Sequence, residues 1–482
     1  MILKSSLAKN AIYKVILNVF NLLVPLFVGP YVAGLLEPDL YGIYNRVYAE
    51  FQIFFIIGAF GIYNYGVREI SKVRKDKDKF ENIFTSLFVI GILSNLIVTI
   101  FYIGYILIRG NGIDSIVYLV MIIQMVSNVF YIEFVNEAVE NYRFIALKTI
   151  LIRILYLISI FAFVRKSTDV IIYSIVVSTT VLLNNLASFF YLKKQYRFNF
   201  KNLSIICHIV PLIINLIFTN VELLYGQLDK VLLGAFVSDI AVTEYTLPTT
   251  LAGMLSTIPL SLITVAIPRL SNYVGNGDKE NYIVTLKNTS RTYMAILAPM
   301  SFGVIVLARE IMWLYSQDVY TYTYPVLICA AVSRIIYGYQ SIMTYLVMYV
   351  NGKEKRLTLL LFQGGVVNMI LDFILVILGK FTPLSSLITT VLSVMVFIFS
   401  SARFAKRELG LQDIFLTKHI IGYFLISSSF ILVSLCINYF NLGYVWNIVL
   451  EIIICISIYA VYMIMTKDPL VKMLLGKIGI KW

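Results

Sequence analysis

The sequence predicts an all-α polytopic membrane protein with about fourteen transmembrane helices: two duplicated six-helix lobes and two further helices. The first reason is hydropathy, since 60% of the 482 residues are hydrophobic, 13% are charged and the mean hydropathy is +0.86. The second is that the apolar residues gather in runs of roughly 18–26 residues, each long enough to cross a ~30 Å hydrocarbon core as a helix. The third is an internal duplication of the chain.

The duplication is centred on a hairpin that occurs twice. Gly34 and Arg68 of the first copy recur as Gly234 and Arg269 of the second, so the two copies are offset by about 200 residues. An offset of this length places six helices in each half, and duplicated halves with a substrate site between them are typical of transporters. The predicted segments are an N-terminal lobe at 1–205, a C-terminal lobe at 206–410, and an extra helix pair with a basic tail at 411–482.

The distribution of charge predicts how the helices cross the membrane. The net charge of +13 is spread over every second connection and both ends of the chain, which follows the positive-inside rule and argues against nucleic acid as a partner. We therefore expect a multi-pass protein of the plasma membrane with both termini in the cytoplasm. In order, the helices are predicted at 11–36, 42–66, 82–108, 115–141, 144–164, 169–192, 206–236, 241–268, 285–308, 324–350, 356–379, 384–405, 417–440 and 445–466.

Basic residues inside the predicted helices are the candidates for substrate binding. Arg153 and Arg334 lie roughly 14 Å from the nearest helix end, where a long side chain cannot easily reach the membrane surface. Arg46 and Lys230 lie in the outer third, where such an escape to the surface is equally plausible. Tyr337 shares a helix face with Arg334. Guanidinium groups bind phosphate bidentately, so these residues predict an anionic ligand.

Acidic residues inside the helices have two interpretations. Glu222 and Asp229 lie on one face of the seventh helix, Asp372 lies on the eleventh, and Glu50 follows Arg46 by one turn. They could bind a coupling Na⁺ or H⁺, or they could balance the charge of the arginines. The four cysteines lie in apolar runs, and no metal-ligand spacing, nucleotide-binding motif or catalytic constellation is present, so no other cofactor is expected.

Two further functions are compatible with these patterns. A cation-coupled multidrug antiporter would use Glu222 and Asp229 to bind organic cations, and the arginines would hinder it. A membrane glycosyltransferase or polymerase acting on lipid-linked sugars would need a catalytic acid such as Glu37 or Asp39 in the first external loop. Such enzymes generally carry a large external loop or domain, which is not evident in this sequence.

Five stretches read LYGIYNRVYAEF, YGVREISKVRKDKDK, QLDKVLLGAFVSDIAVTEYTLPTTLAG, AIPRLSNYVGNGDKENY and VNGKEKRL, and together they cover about 40–370. They resemble the Wzx-type oligosaccharide flippases of the MATE-like (MOP) superfamily, to which the lipid II flippase MurJ also belongs. The resemblance implies two six-helix lobes that form a V around a central basic cavity and work by alternating access.

The resemblance also implies a substrate and the residues that bind it. The substrate would be a polyprenyl diphosphate-linked oligosaccharide, moved from the inner to the outer leaflet for capsule or a similar surface polysaccharide. The partners would be membrane lipids and the polymerase and glycosyltransferases of the same pathway. Arg46 resembles a basic cavity position of the family. Basic residues that relatives carry deeper in the first and eighth helices are missing here, so Arg153 and Arg334 are expected to serve instead. The last two helices would supply a groove for the lipid tail.

Overall fold

We analysed a computed structural model of the protein, which describes residues 2–201, 203–411, 417–440 and 443–471. Within these ranges the side chains of 2–12, 14–15, 18–19, 221–225 and 444 are not described. All regular elements in these ranges are helices, and no β-strand occurs in them. Among the described residues, ten helices are long and apolar enough to span a membrane, or twelve if two bent pairs each count as one span. The all-α, multi-pass fold class is therefore confirmed.

The chain divides into two compact units, 1–243 and 244–482. The helices of the first unit are α1 (Ile2–Leu35), α2 (Pro38–Ala59), α3 (Ile62–Val73), α4 (Lys77–Arg109), α5 (Gly112–Val129), α6 (Glu133–Ala138), α7 (Tyr142–Phe163), α8 (Val170–Lys193), α9 (Ile205–Phe236) and the start of α10 (Asp239–Met254). In this unit α2 packs against α4, α5 and α9, α5 packs against α8, and α7 packs against α1 and α8.

The helical elements of the second unit after α10 are α11 (Thr257–Gly275), α12 (Lys279–Val306), α13 (Ala308–Ser316), a 3₁₀ turn (Thr321–Thr323), α14 (Tyr324–Ser341), a π-helical segment (Ile342–Tyr349), α15 (Glu354–Ile377), α16 (Pro383–Glu408), α17 (Lys418–Tyr439) and α18 (Tyr444–Met465). In this unit α12 packs against α11, α14 and α17, and α16 packs against α14 and α15. The last described helix, α18, packs against α17 and also contacts α12 and α13.

Several helices predicted as continuous are interrupted. The predicted helix at 42–66 breaks between α2 and α3, where Phe60 and Gly61 adopt left-handed φ angles of 51° and 67°. A Cβ on Gly61 would lie 2.7 Å from the Leu216 backbone nitrogen of α9, so the break also needs the small residue. The carbonyl freed at Gly61 accepts a 2.7 Å hydrogen bond from Asn215 Nδ2 of α9. The neighbouring helix thus supplies the donor that the broken helix lacks.

The predicted eighth helix, 241–268, is a bent pair of helices, since the axes of α10 and α11 differ by 51°. The axes of α12 and α13, which follow each other in the same way, differ by 71°. The predicted first and seventh helices, 11–36 and 206–236, are continuous in the structure as α1 and α9. The exact count of fourteen spans, and the division of the chain at 205 and 410, stay predictions.

Candidate functional site

Arg46 lies on α2 among three carboxylates, all in the first unit. Its Nε donates a 2.5 Å hydrogen bond to Asp239 Oδ1, and its Nη2 donates to Asp114. Its Nη1 lies 3.7 Å from Oε1 of Glu50, the i,i+4 ion pair expected from the sequence. The residue is 6% exposed. Because these partners occupy the fork of the guanidinium, Arg46 is not free to bind a phosphate in this conformation.

Two tyrosines donate hydrogen bonds to one carboxylate oxygen of Glu50 in this cluster, whereas its Oε1 has no hydrogen-bond partner among the described residues. Tyr105 donates a 2.9 Å hydrogen bond to Glu50 Oε2, and Tyr118 donates to the same oxygen. The Tyr118 hydroxyl in turn accepts from Arg46 Nη1 at 3.2 Å. Glu50 is therefore committed to balancing Arg46 here, whereas its alternative role in ion coupling stays a prediction.

The same face of α2 is fixed to the start of α10 by two further contacts. Asn45 Nδ2 donates a 2.8 Å hydrogen bond to Thr243 Oγ1. Gly42 lies so close to α10 that a Cβ at this position would be 2.5 Å from the backbone carbonyl carbon of Asp239. Together with the Arg46 cluster, these contacts fasten α2 to the turn between α9 and α10.

Arg153 of α7 is a cation of a different kind. Its side chain is partly exposed and has no carboxylate within 4.0 Å in the described part of the chain. The positive charge of Arg153 interacts electrostatically with the hydroxyl groups of Tyr48 and Tyr156. Tyr48 stacks on Tyr44 with ring centroids 5.8 Å apart. The arrangement combines an uncompensated guanidinium with aromatic faces, which can bind a phosphate and stack on sugar rings.

Arg334 of α14, in the second unit, is also a partly exposed cation within an apolar helix. Its guanidinium carbon lies 4.5 Å from the centroid of the Tyr337 ring, a cation–π contact between the two residues that the sequence placed on one face. Its Nε is buried without a hydrogen-bond partner, and no carboxylate of the described residues lies within 4.0 Å. A Cβ added to Gly253 would lie 4.0 Å from Arg334 Nη1, which is an ordinary van der Waals distance.

The remaining predicted residues are placed as follows. Asp229 is fully buried on α9 next to Lys230, which is partly buried and forms no ion pair within the ranges described. The side chain of Glu222 lies outside the described residues.

On α15 the buried Asp372 accepts hydrogen bonds from Asn368 Nδ2 at 3.1 Å and from Thr389 Oγ1 of α16 at 2.5 Å. Asp372 thus belongs to a buried, oxygen-rich cluster between two helices.

Comparison with known proteins places the chain in a family. Residues 7–274, more than half of the chain, match the family model of polysaccharide biosynthesis proteins. The chain belongs to this family. A stretch of 180 residues is 25% identical to the protein described as "Putative O-antigen transporter" of Escherichia coli (strain K12). That alignment covers 37% of this chain and 43% of the relative, so it spans less than half of the relative's length.

This polysaccharide biosynthesis protein shares its fold with solved transporters. Lipid II flippase MurJ in its inward closed conformation aligns with a TM-score of 0.73 and 17% identity, over 96% of this chain and 99% of that one. An inward-facing multidrug resistance MATE family transporter of the MOP superfamily aligns with a TM-score of 0.60 and 13% identity, over 82% and 96%. At these identities the likeness shows the fold alone. Family and fold together confirm the resemblance drawn from the sequence.

Sequence reasoning about this polysaccharide biosynthesis protein missed the partners of Arg46. Asp114 and Asp239 are both first-turn residues of helices that follow connections on the side opposite the basic loops. The predicted topology therefore put them at the same membrane depth as Arg46. That shared depth was the available signal, but it does not show which helices are neighbours.

Proposed function

We propose that this protein is a flippase that moves a polyprenyl diphosphate-linked oligosaccharide from the inner to the outer leaflet of the plasma membrane, by alternating access, for capsule or a similar surface polysaccharide. Its membership of the polysaccharide biosynthesis family supports the pathway. The observation that carries the chemistry is that Arg153 and Arg334 are partly exposed, deep in their helices and without a carboxylate partner in the described residues.

The substrate chemistry matches these two arginines. A diphosphate carries charge that cannot enter a bilayer unaided, and guanidinium groups offer paired N–H donors to phosphate oxygens. Arg153 has Tyr48 and Tyr156 beside it, and Arg334 lies on Tyr337, so each charge adjoins an aromatic ring that can stack on a sugar. Each arginine is proposed to contact the diphosphate or the first sugars of the substrate. Membrane lipids and the enzymes that build and polymerise the repeat unit are the proposed partners.

The topology and the energy source belong to the same proposal. Both termini are placed in the cytoplasm, because the basic connections then all face inward. Na⁺ or H⁺ is the proposed coupling ion, and the oxygen-rich group around Asp372 is its proposed site, since Asp372, Asn368 and Thr389 are buried together. Transport is proposed rather than catalysis.

The experiment is complementation of a deletion strain, with lipid-linked repeat units and surface polymer measured together. We expect the deletion to accumulate complete lipid-linked units and to lose the polymer. Arg153→Ala and Arg334→Ala should fail to restore the polymer at normal protein levels in the membrane. Arg68→Ala, which removes an exposed arginine that pairs with Glu69, is the matched control and should complement.

Other outcomes would point to other functions. Export of single, unpolymerised units in the deletion strain would indicate a polymerase. Unchanged polymer with greater sensitivity to cationic dyes would indicate the antiporter of the MATE type, and Asp229 and Glu222 would then be the residues to replace.

A further inference from the structure

Two buried acids lie where α18 meets α13, in a part of the second unit to which no role has been assigned above. Glu451 is the eighth residue of α18 and is 0% exposed, and Glu310 on α13 is 5% exposed. α13 packs against α18, so the two acids lie at one contact between helices. Neither forms an ion pair within 4.0 Å in the described chain.

The oxygens around Glu451 lack hydrogen-bond donors. Both carboxylate oxygens of Glu451 and the Oδ1 atom of Asn447 are buried without a hydrogen-bond partner of normal geometry. Asn447 and Glu451 are four residues apart and share one face of α18. The Asn447 amide is held by a 2.9 Å hydrogen bond from its Nδ2 to Asn438 Oδ1 of α17, so its own oxygen is left as an acceptor.

Few polar groups adjoin this site. Asn438 Nδ2 donates a 3.2 Å hydrogen bond to Ser434 Oγ, and Ser434 is the hydroxyl group beside Glu451. The thiol of Cys455, one turn further along α18, faces the same carboxyl group. These groups provide at most one or two weak donors, and none carries a positive charge.

Near the other end of α18, a buried acid of this unit has a basic side chain and a hydroxyl group as partners. There Arg291 of α12 binds Asp468, just beyond α18, with 2.5 Å between Nη2 and Oδ2. Arg291 Nε also donates a 2.8 Å hydrogen bond to the Tyr423 hydroxyl of α17, which donates to Asp468. At this end a side chain supplies the positive charge. Among the described residues no ion pair within 4.0 Å supplies a positive charge to Glu451 or Glu310, although a buried ionised carboxylate without a cation is strongly disfavoured.

We propose that Glu310, Asn447 and Glu451 form a binding site for a small monovalent cation, either Na⁺ or a proton, which holds α18 against α13. Oxygen ligands from two carboxylates and an amide are the donor set that a hard cation prefers. The site lies within the second unit and does not depend on the substrate proposed above. It can therefore be tested on the purified protein without a transport assay.

The test measures thermal unfolding and ²²Na⁺ binding of the purified full-length protein in detergent, with choline replacing sodium at constant ionic strength. If the ligand is Na⁺, we expect the Tm to rise by at least ~2 °C between 1 and 100 mM sodium, because a ligand that binds only the folded state stabilises it. Glu451→Gln should lose this rise and one equivalent of bound sodium, since a glutamine amide supplies N–H donors in place of the cation.

If the ligand is a proton, sodium should have no effect through this site. The Tm of the wild-type protein should then fall as the pH is raised from 5 to 9, because deprotonation leaves a buried charge, and Glu451→Gln should remove that fall. Glu310→Gln should act in the same direction and serves as the second variant if Glu451→Gln does not fold. Glu408→Gln, an exposed acid, is the control, and Asp372→Asn identifies any sodium effect that arises elsewhere. Identical sodium and pH responses of the wild type, Glu451→Gln and Glu310→Gln would overturn the proposal.

Discussion

Arg46 and Asp239 are 193 positions apart in the chain, yet the guanidinium Nε of one lies 2.5 Å from a carboxylate oxygen of the other. Asp239 is the first residue of α10, and Arg46 lies near the middle of α2. The pair therefore links two helices through a buried charge, and it shares that charge with Asp114 and Glu50. Any movement of α2 relative to the start of α10 has to break this contact.

Replacing Arg46, the cation of this cluster, should lower the stability of the protein much more than neutralising one of the three carboxylates around it. Arg46→Met leaves three carboxylates without a counter-charge, so we expect a loss of about 3–5 kcal/mol of stability. Asp239→Asn leaves Arg46 with two carboxylates and should cost about 1 kcal/mol. Thermal unfolding in detergent measures both, with Arg68→Met as an exposed control. If Arg46→Met and Asp239→Asn lose the same amount of stability, the three carboxylates do not share Arg46 as their common counter-charge.

The close approach of α2 and α10 should tolerate no side chain at Gly42. A Cβ there would lie 2.5 Å from the Asp239 carbonyl carbon, which is backbone and cannot rotate away. We expect Gly42→Ala to destabilise the protein by about 1–3 kcal/mol, as overpacking does. Gly104→Ala is the matched control on α4, because nothing lies within 4 Å of its added methyl group. If Gly42→Ala unfolds at the wild-type temperature, the two helices are not in contact at this point.

The interruption between α2 and α3 should depend on Asn215. Its amide donates to the Gly61 carbonyl, so Asn215→Leu leaves a buried acceptor unsatisfied, at an expected cost of about 1–3 kcal/mol. Asn220→Leu is the control on the same helix, since Asn220 bonds the carbonyl of Leu216, one turn back, and removes no partner from another helix. Unfolding temperatures of the two variants give the comparison. A larger loss for Asn220→Leu would contradict this role of Asn215.

Loss of the contact between Arg334 and Tyr337 should lower the transport activity proposed above rather than the stability of the protein. Tyr337→Phe keeps the aromatic face under the guanidinium and should retain most of the activity. Tyr337→Leu removes the face, worth about 0.5–2 kcal/mol, and should lower the rate of surface-polymer recovery several-fold in the complementation assay. Equal activity of the two variants at equal protein levels would show that the ring does not position Arg334.

The fold was largely predictable from the sequence because its determinants are local. Each apolar run is long enough to span a membrane by itself, and the alternation of basic connections needs no knowledge of packing. Within the described ranges neither Arg153 nor Arg334 has a carboxylate within 4.0 Å, which agrees with their depth in apolar helices, where no acid is near in sequence.

The partners of Arg46 could not be predicted in the same way. Hydropathy fixes the depth of Asp114 and Asp239 but not which helices are neighbours, and that is settled by side-chain packing. The break at Gly61 was missed because the residue is tolerated inside a helix, and only the approach of α9 shows why it is needed. Glu310 and Glu451 were missed because each is a single acid in a helix of its own, and only the fold brings them together.

The π-helical segment from Ile342 to Tyr349 has a consequence for how this chain can tolerate changes in its length. A π turn closes its hydrogen bond one residue later than an α turn, so it holds one residue more over the same span. Deleting one residue from the segment would let α14 continue in ordinary register. We therefore expect the segment to absorb the deletion of one residue without a change of register in the helix that follows it.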